Sequence, residues 1–210
     1  MPCVPLCSPC VHHCLHCLLI HCLLTTVSTV STTAPTVAAN KGHDKCVHAL
    51  LVAAADVNAT TEGGWSPLAT AAENGRYACA ELLLAAGADS NQPTKMGATP
   101  LHAACKLKHH DCAELLLSRD ASPHKLTKSG ISVLASAADG GSVRCMSLLI
   151  AKGVDVNVAD SRERTPLYRA ASLGHRCSVE LLINAKADVN HCATEAPLAS
   201  EADGGTDNVA

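Results

Sequence analysis

Thr99-Pro100-Leu101-His102-Ala103-Ala104 reads as the start of a short helix. A hydroxyl just before proline is placed to accept from an orphan N–H of the first turn. Proline at the first helical position has no N–H to lose and a preset φ. The alanines behind it leave a thin helix that neighbours can approach closely. The same start returns at Ser66-Pro67-Leu68, Ser132-Val133-Leu134 and Thr165-Pro166-Leu167, each 33 residues after the one before. A unit this small cannot bury its own apolar face, so a repeat of this length must be stabilised by stacking on its neighbours.

Other columns keep the same beat. Asn58, Asn91, His124, Asn157 and Asn190 fall 33 apart, as do Gly64, Gly97 and Gly130, with Glu163 next in that series. Leucine-rich segments recur in phase at 81–84, 114–117, 147–150 and 180–183. Gly42, Gly75, Gly141 and Gly174 sit where the first helix of each unit would end in a left-handed residue. Lys108 holds that place in one unit, so a non-glycine residue at positive φ is expected there. Asp120 and Lys186 replace the glycine that ends the second helix, and Val133 replaces one proline. The pattern predicts an all-α solenoid of stacked helix–turn–helix pairs.

These motifs resemble ankyrin repeats, above all Thr99 to Ala104, Gly174-His175, Leu82 to Asp89 and Val154 to Asn157. The resemblance implies an ankyrin-repeat solenoid whose helix pairs are joined by β-hairpin-like loops. The expected division is a leader 1–31, a degenerate unit 32–62 and well-formed units 63–95, 96–128, 129–161 and 162–194. A partial terminal unit with an acidic tail, 195–210, completes it, and its incomplete helix pair predicts fraying at that end.

Composition agrees. The 210 residues are 48% hydrophobic but only 1% aromatic, with no Phe, which favours a core of Leu, Ala, Val, Ile and Cys. A net charge of −3 argues against a general nucleic-acid surface. No Asp, Glu, Lys or Arg precedes Lys41. The leader instead carries Cys3, Cys7, Cys10, Cys14, Cys17 and Cys22 among four histidines. Its two Cys-x-x-Cys pairs are too close together for a folded zinc site, so it reads as a low-complexity, disordered extension or a misassigned start. In the body, Cys46, Cys79, Cys112 and Cys145 form another column. Equivalent positions on stacked helices lie about 8–10 Å apart, beyond disulfide reach, so these thiols are expected to be small core residues. Free thiols suit a reducing intracellular compartment, cytoplasmic or nuclear.

No phosphate-binding glycine loop, nucleophile elbow or His-Glu-x-x-His motif occurs, so neither catalysis nor a cofactor or small-molecule substrate is expected. The resemblance implies a non-enzymatic, monomeric scaffold or adaptor that binds another protein through its hairpin tips and first-helix face. On that face the candidate contacts are Trp65, Lys95, Met96, Lys106, Leu107, Lys128, Arg164, Tyr168 and Arg169. Trp, Tyr and Arg carry most interface energy, and the basic tips point to a partner with acidic character. His102 is expected to be structural. An alternative reading is the substrate-recognition adaptor of a ubiquitin ligase, which would need a ligase-binding box after Asn190. A membrane-tethered form using the leader is a further alternative.

Overall fold

A computed structural model describes residues 33–193. The leader with its cysteine pairs, and the partial terminal unit 195–210, lie outside the described residues. Five first helices, α1 (Ala34–Lys41), α3 (Pro67–Glu73), α5 (Pro100–Lys106), α7 (Val133–Gly140) and α9 (Pro166–Ser172), alternate with five second helices. The latter are α2 (Asp44–Val52), α4 (Tyr77–Ala85), α6 (His110–Ser118), α8 (Val143–Ala151) and α10 (Arg176–Asn184). Every first helix begins 33 residues after the previous one, and so does every second helix. The degenerate unit keeps the beat too, since α1 starts in phase although Pro35 comes one place late.

First helices pack on first helices along the array, and second helices on second helices. The close approach of the first row rests on one column, Ala38, Ala71, Ala104, Ala137 and Ala170, all buried. Leu68, Leu101 and Leu134 fill the space behind it and are fully buried, each contributing about 2 kcal/mol of transfer free energy. Three of the caps form as the sequence predicts. Ser66, Ser132 and Thr165 accept from the N–H three residues on, at 3.1, 3.1 and 3.2 Å.

The turns between helices show how neighbouring units fit. Arg76, His109 and His175 start second helices and lay their side chains over Gly42, Gly75 and Gly141 of the preceding unit. Lys108 interrupts that glycine series and is held at φ +64°. The residue that would cover it is the small Ser142, so the neighbour has shrunk where the glycine is lost. At the same junction the end of α7 closes tightly on α5. A Cβ on Gly140 would be driven into the carbonyl oxygen of Lys106. Gly140→Ala is therefore expected to destabilise the fold by about 2 kcal/mol, as overpacked sites do. Gly153→Ala, equally a glycine but with open space around its missing Cβ, supplies the comparison in urea melts. It carries φ strain but no clash, so equal losses for the two would refute the packing explanation.

Cys79, Cys112 and Cys145 are buried free thiols, in keeping with the expected unbridged column. Cys46 departs from it, being disulfide-bonded. Spacing between stacked helices bears only on bonds within the column, so it does not govern this one.

Candidate protein-docking face

The hairpin tips are built by a column that sequence reading passed over: Thr61, Thr94, Thr127 and Asp160. In each tip this residue's N–H donates to the carbonyl of the residue four later, at 2.8 to 3.1 Å. Its side-chain oxygen accepts the return N–H from Trp65, Ala98, Ile131 or Arg164 at 3.0 to 3.2 Å. One backbone bond then joins each tip to the next. Lys95 N–H donates to Gly63 O (3.0 Å), Lys128 N–H to Met96 O (2.9 Å) and Ser161 N–H to Ser129 O (3.0 Å). Among the described residues there is no extended strand, only an isolated antiparallel bridge between Leu126 and Ser132.

This ladder brings Trp65, Lys95, Met96 and Lys128 onto consecutive tips. Lys95, Met96 and Lys128 are exposed, Met96 to 70%. Trp65 is half-buried with its indole against Gly63 of its own tip. Lys106 and Leu107 are exposed at the end of α5, the end opposite its proline, and Leu107 is 47% accessible. Tyr168 is half-buried on α9.

The two arginines occupy a different setting from the one expected of them. Arg169 is buried, its guanidinium ion-paired to Asp139 (2.5 Å) and to Asp160 (2.8 Å). Arg164 is partly exposed but places Nε and Nη2 on the same Asp160 oxygen, at 2.9 and 2.7 Å. Burial by itself would raise the Asp160 pKa. The Arg164 and Arg169 guanidiniums and the backbone N–H groups of Arg164 and Arg162 overcome it and hold the carboxyl well below the usual range. Arg169 thus braces the last two described units, and its head group is not presented to solvent. Sequence carried a signal for this: an acid stands at 160 where three threonines precede it, just before the unit that brings Arg164 and Arg169.

His102 is buried and structural in its contacts. The Thr99 N–H donates to Nδ1 (3.1 Å), and Nε2 lies 3.3 Å from the Ile131 carbonyl. That pattern assigns the neutral ring with its hydrogen on Nε2. Burial lowers the His102 pKa to about 4, against the opposing hydrogen bonds to backbone carbonyls.

The asparagine column forms a second ladder on the other side of each loop. Asn58, Asn91 and Asn157 accept the N–H of Asp89, Ser122 and Asp188 at 2.7 to 2.9 Å. His124 interrupts the series, and beside it lies a cleft of about 170 Å³ lined by His124, Leu126, Leu134, Val154, Asp155 and Val158. Small-molecule sites are typically about 300–1,000 Å³, so this cleft is a surface notch. Among the described residues no group of three or more His, Cys, Asp or Glu side chains is placed to hold a metal ion. No helix among them is long and apolar enough to cross a membrane.

The family model described as ankyrin repeats (3 copies) matches residues 11–94, 36–126 and 119–192. The first match begins inside the stretch read as a leader. No curated protein matches the chain.

Proposed function

We propose, on the premise that this chain belongs to the ankyrin-repeat family, that it is a non-enzymatic adaptor docking one partner protein on its tip ladder and first-helix face, as far as the distal end of α5. Ankyrin repeats are in general protein–protein interaction modules. The observation that carries the finer reading is the alignment of Lys95, Met96 and Lys128 on bonded tips, with Met96 70% exposed. Lys106 and Leu107 extend this surface, Trp65 and Tyr168 border it, and Arg164 and Arg169 support it through Asp160. A face of three lysines around two exposed apolar side chains fits an acidic segment that carries an apolar anchor. Hot spots of that kind combine a desolvated apolar centre with a charged rim that steers the encounter. The buried free thiols Cys79, Cys105, Cys112 and Cys145 favour a reducing, intracellular setting against the single Cys46 disulfide, and the protein is taken to act as a monomer.

Affinity capture with the full chain tests the face. Met96→Asp/Leu107→Asp together with Lys95→Glu/Lys128→Glu is expected to weaken a captured partner at least about tenfold, a loss of roughly 1.4 kcal/mol. Lys152→Glu, an exposed change at the end of α8, leaves binding intact. A partner retained equally by both variants would place the docking surface elsewhere.

A further inference from the structure

The acids and bases of the tip ladder are not equally available. Asp160 is held by Arg164 and Arg169, and the Glu163 carboxylate lies 3.7 Å from Nε2 of His191. Lys95, Lys128 and Arg162 are exposed, and among the described residues they make no ion pair. Glu62, on the first tip, lies beyond that stretch. From Lys95 to Arg162 the ladder therefore presents uncompensated positive charge.

The described chain leaves the array along the same ladder. Ala193 follows Thr61, Thr94, Thr127 and Asp160 at the 33-residue spacing. His191 Nε2 also lies 3.0 Å from the Glu163 carbonyl, which fastens the chain to the fourth tip just before the described part ends. Residues 194–210 follow, with Glu195, Glu201, Asp203 and Asp207 and no Lys or Arg. Pro197 stands two places ahead of the register that Pro166 sets at Ala199, so this segment does not repeat the capped helix start.

We propose that the acidic segment 194–210 docks back on the chain's own tips, its carboxylates meeting Arg162, Lys128 and Lys95. The contact needs only these charges; its consequence, competition with a partner for the same face, rests on the docking reading above. Stacked helices lie about 8–10 Å apart, which puts the Lys128 tip about 20 Å from the tip position at 193 and the Lys95 tip about 30 Å. An extended chain spans about 3.3 Å per residue, so Glu201 reaches about 26 Å from Ala193 and Asp207 about 46 Å. Both exceed the distance required, and no described element has to unfold. Exposed ion pairs are individually weak. Tethering, however, supplies the segment at an effective concentration of order millimolar, which a separate acidic peptide at micromolar levels does not match. The leader cannot play this part, since no Asp or Glu precedes Asp44.

Carbodiimide coupling of the full chain tests the contact, because it joins carboxylates to lysines only where they touch. Peptide mass mapping then locates the links. Links from Glu201, Asp203 or Asp207 to Lys128 and Lys95 are expected at least about fivefold above links to Lys186 and Lys152, given the effective concentration a fixed contact creates. Those two lysines are exposed just past the ends of α10 and α8, and Lys186 belongs to the unit from which the segment departs. A freely sampling tail would favour it. Raising salt to about 1 M, where the Debye length is about 3 Å, should abolish the preference. Glu201→Lys/Asp203→Lys/Asp207→Lys should lose the tip links, and adding Lys95→Glu/Lys128→Glu should restore them with the charges exchanged. In an equal mixture of isotope-labelled and unlabelled chains, every link should stay within one chain. Equal linking to Lys186 and Lys152, links between chains, or a charge exchange that restores nothing would each overturn the proposal. Partner capture is read separately. Glu201→Gln/Asp203→Asn/Asp207→Asn should raise it about threefold, since apparent affinity follows the fraction of face left open. Tip links with unchanged capture would uphold the self-contact and overturn the docking reading instead.

Discussion

Asp160→Thr should cost about 3–5 kcal/mol of stability, the range for removing one member of a buried ion pair. The substitution restores the threonine that three other tips carry, so the hydrogen bond to the N–H of residue 164 can still form, as it does at Thr61, Thr94 and Thr127. What is lost is charge. Arg169 keeps only Asp139, and its guanidinium remains in a site where the side chain is 9% exposed. Arg164, with 31% of its side chain exposed, can turn to water, so Arg169 carries most of the penalty. The equivalent residue one unit earlier is Ser136. Asp160→Thr/Arg169→Ser thus returns this site to the solution used by its neighbour and should recover at least about 2 kcal/mol, within the coupling seen between contacting residues. Urea denaturation of the wild type, both single variants and the double variant closes the cycle. Additive losses would show that the cluster is not coupled.

Acid should destabilise the protein through His102 well before it reaches Asp160. In the folded state the His102 pKa is lowered to about 4, whereas the unfolded value is about 6.5. Between these values the unfolded chain binds more protons than the folded one, so stability rises with pH across the window. The contribution is complete above about pH 6.5 and is lost as the pH falls towards 4, amounting to about 3 kcal/mol. Protonating Nδ1 would also turn it from an acceptor into a donor facing the Thr99 N–H. Asp160 does not confuse this window. Its folded pKa is held low, so its contribution stays intact above the unfolded value of about 4 and drains only below it. His102→Ala reproduces the residue at the same place in two other units, Ala69 and Ala135. It should lose about 1 kcal/mol at pH 7 with the cap, yet show a flatter stability profile from pH 6.5 to 4.5. A slope equal to that of the wild type would assign the acid sensitivity to other histidines.

Much of the array was legible because its determinants are local and repeated. Capping hydroxyls, prolines, Ala columns and turn glycines act within one unit, and their recurrence at 33 residues set every helix start. The positive φ expected of Lys108 followed from the same logic and is present. The candidate docking residues were harder to read. Periodicity told which positions face outward in an average unit, and Lys95, Met96, Lys106, Leu107 and Lys128 are exposed as an average unit would have them. Arg169 is not, because its environment depends on acids nine and thirty residues away.

The sequence by itself determined the unit, its length, its helices and the order in which they stack, since each follows from interactions among residues close in the chain. Tertiary structure alone decided what happens between units. It turned Asp139, Asp160, Arg164 and Arg169 into one brace, brought His110 onto Cys145, and closed Gly140 against Lys106. The physical reason is that an averaged repeat describes every junction as the same, whereas charge pairing, thiol chemistry and steric clearance depend on which individual side chains meet there.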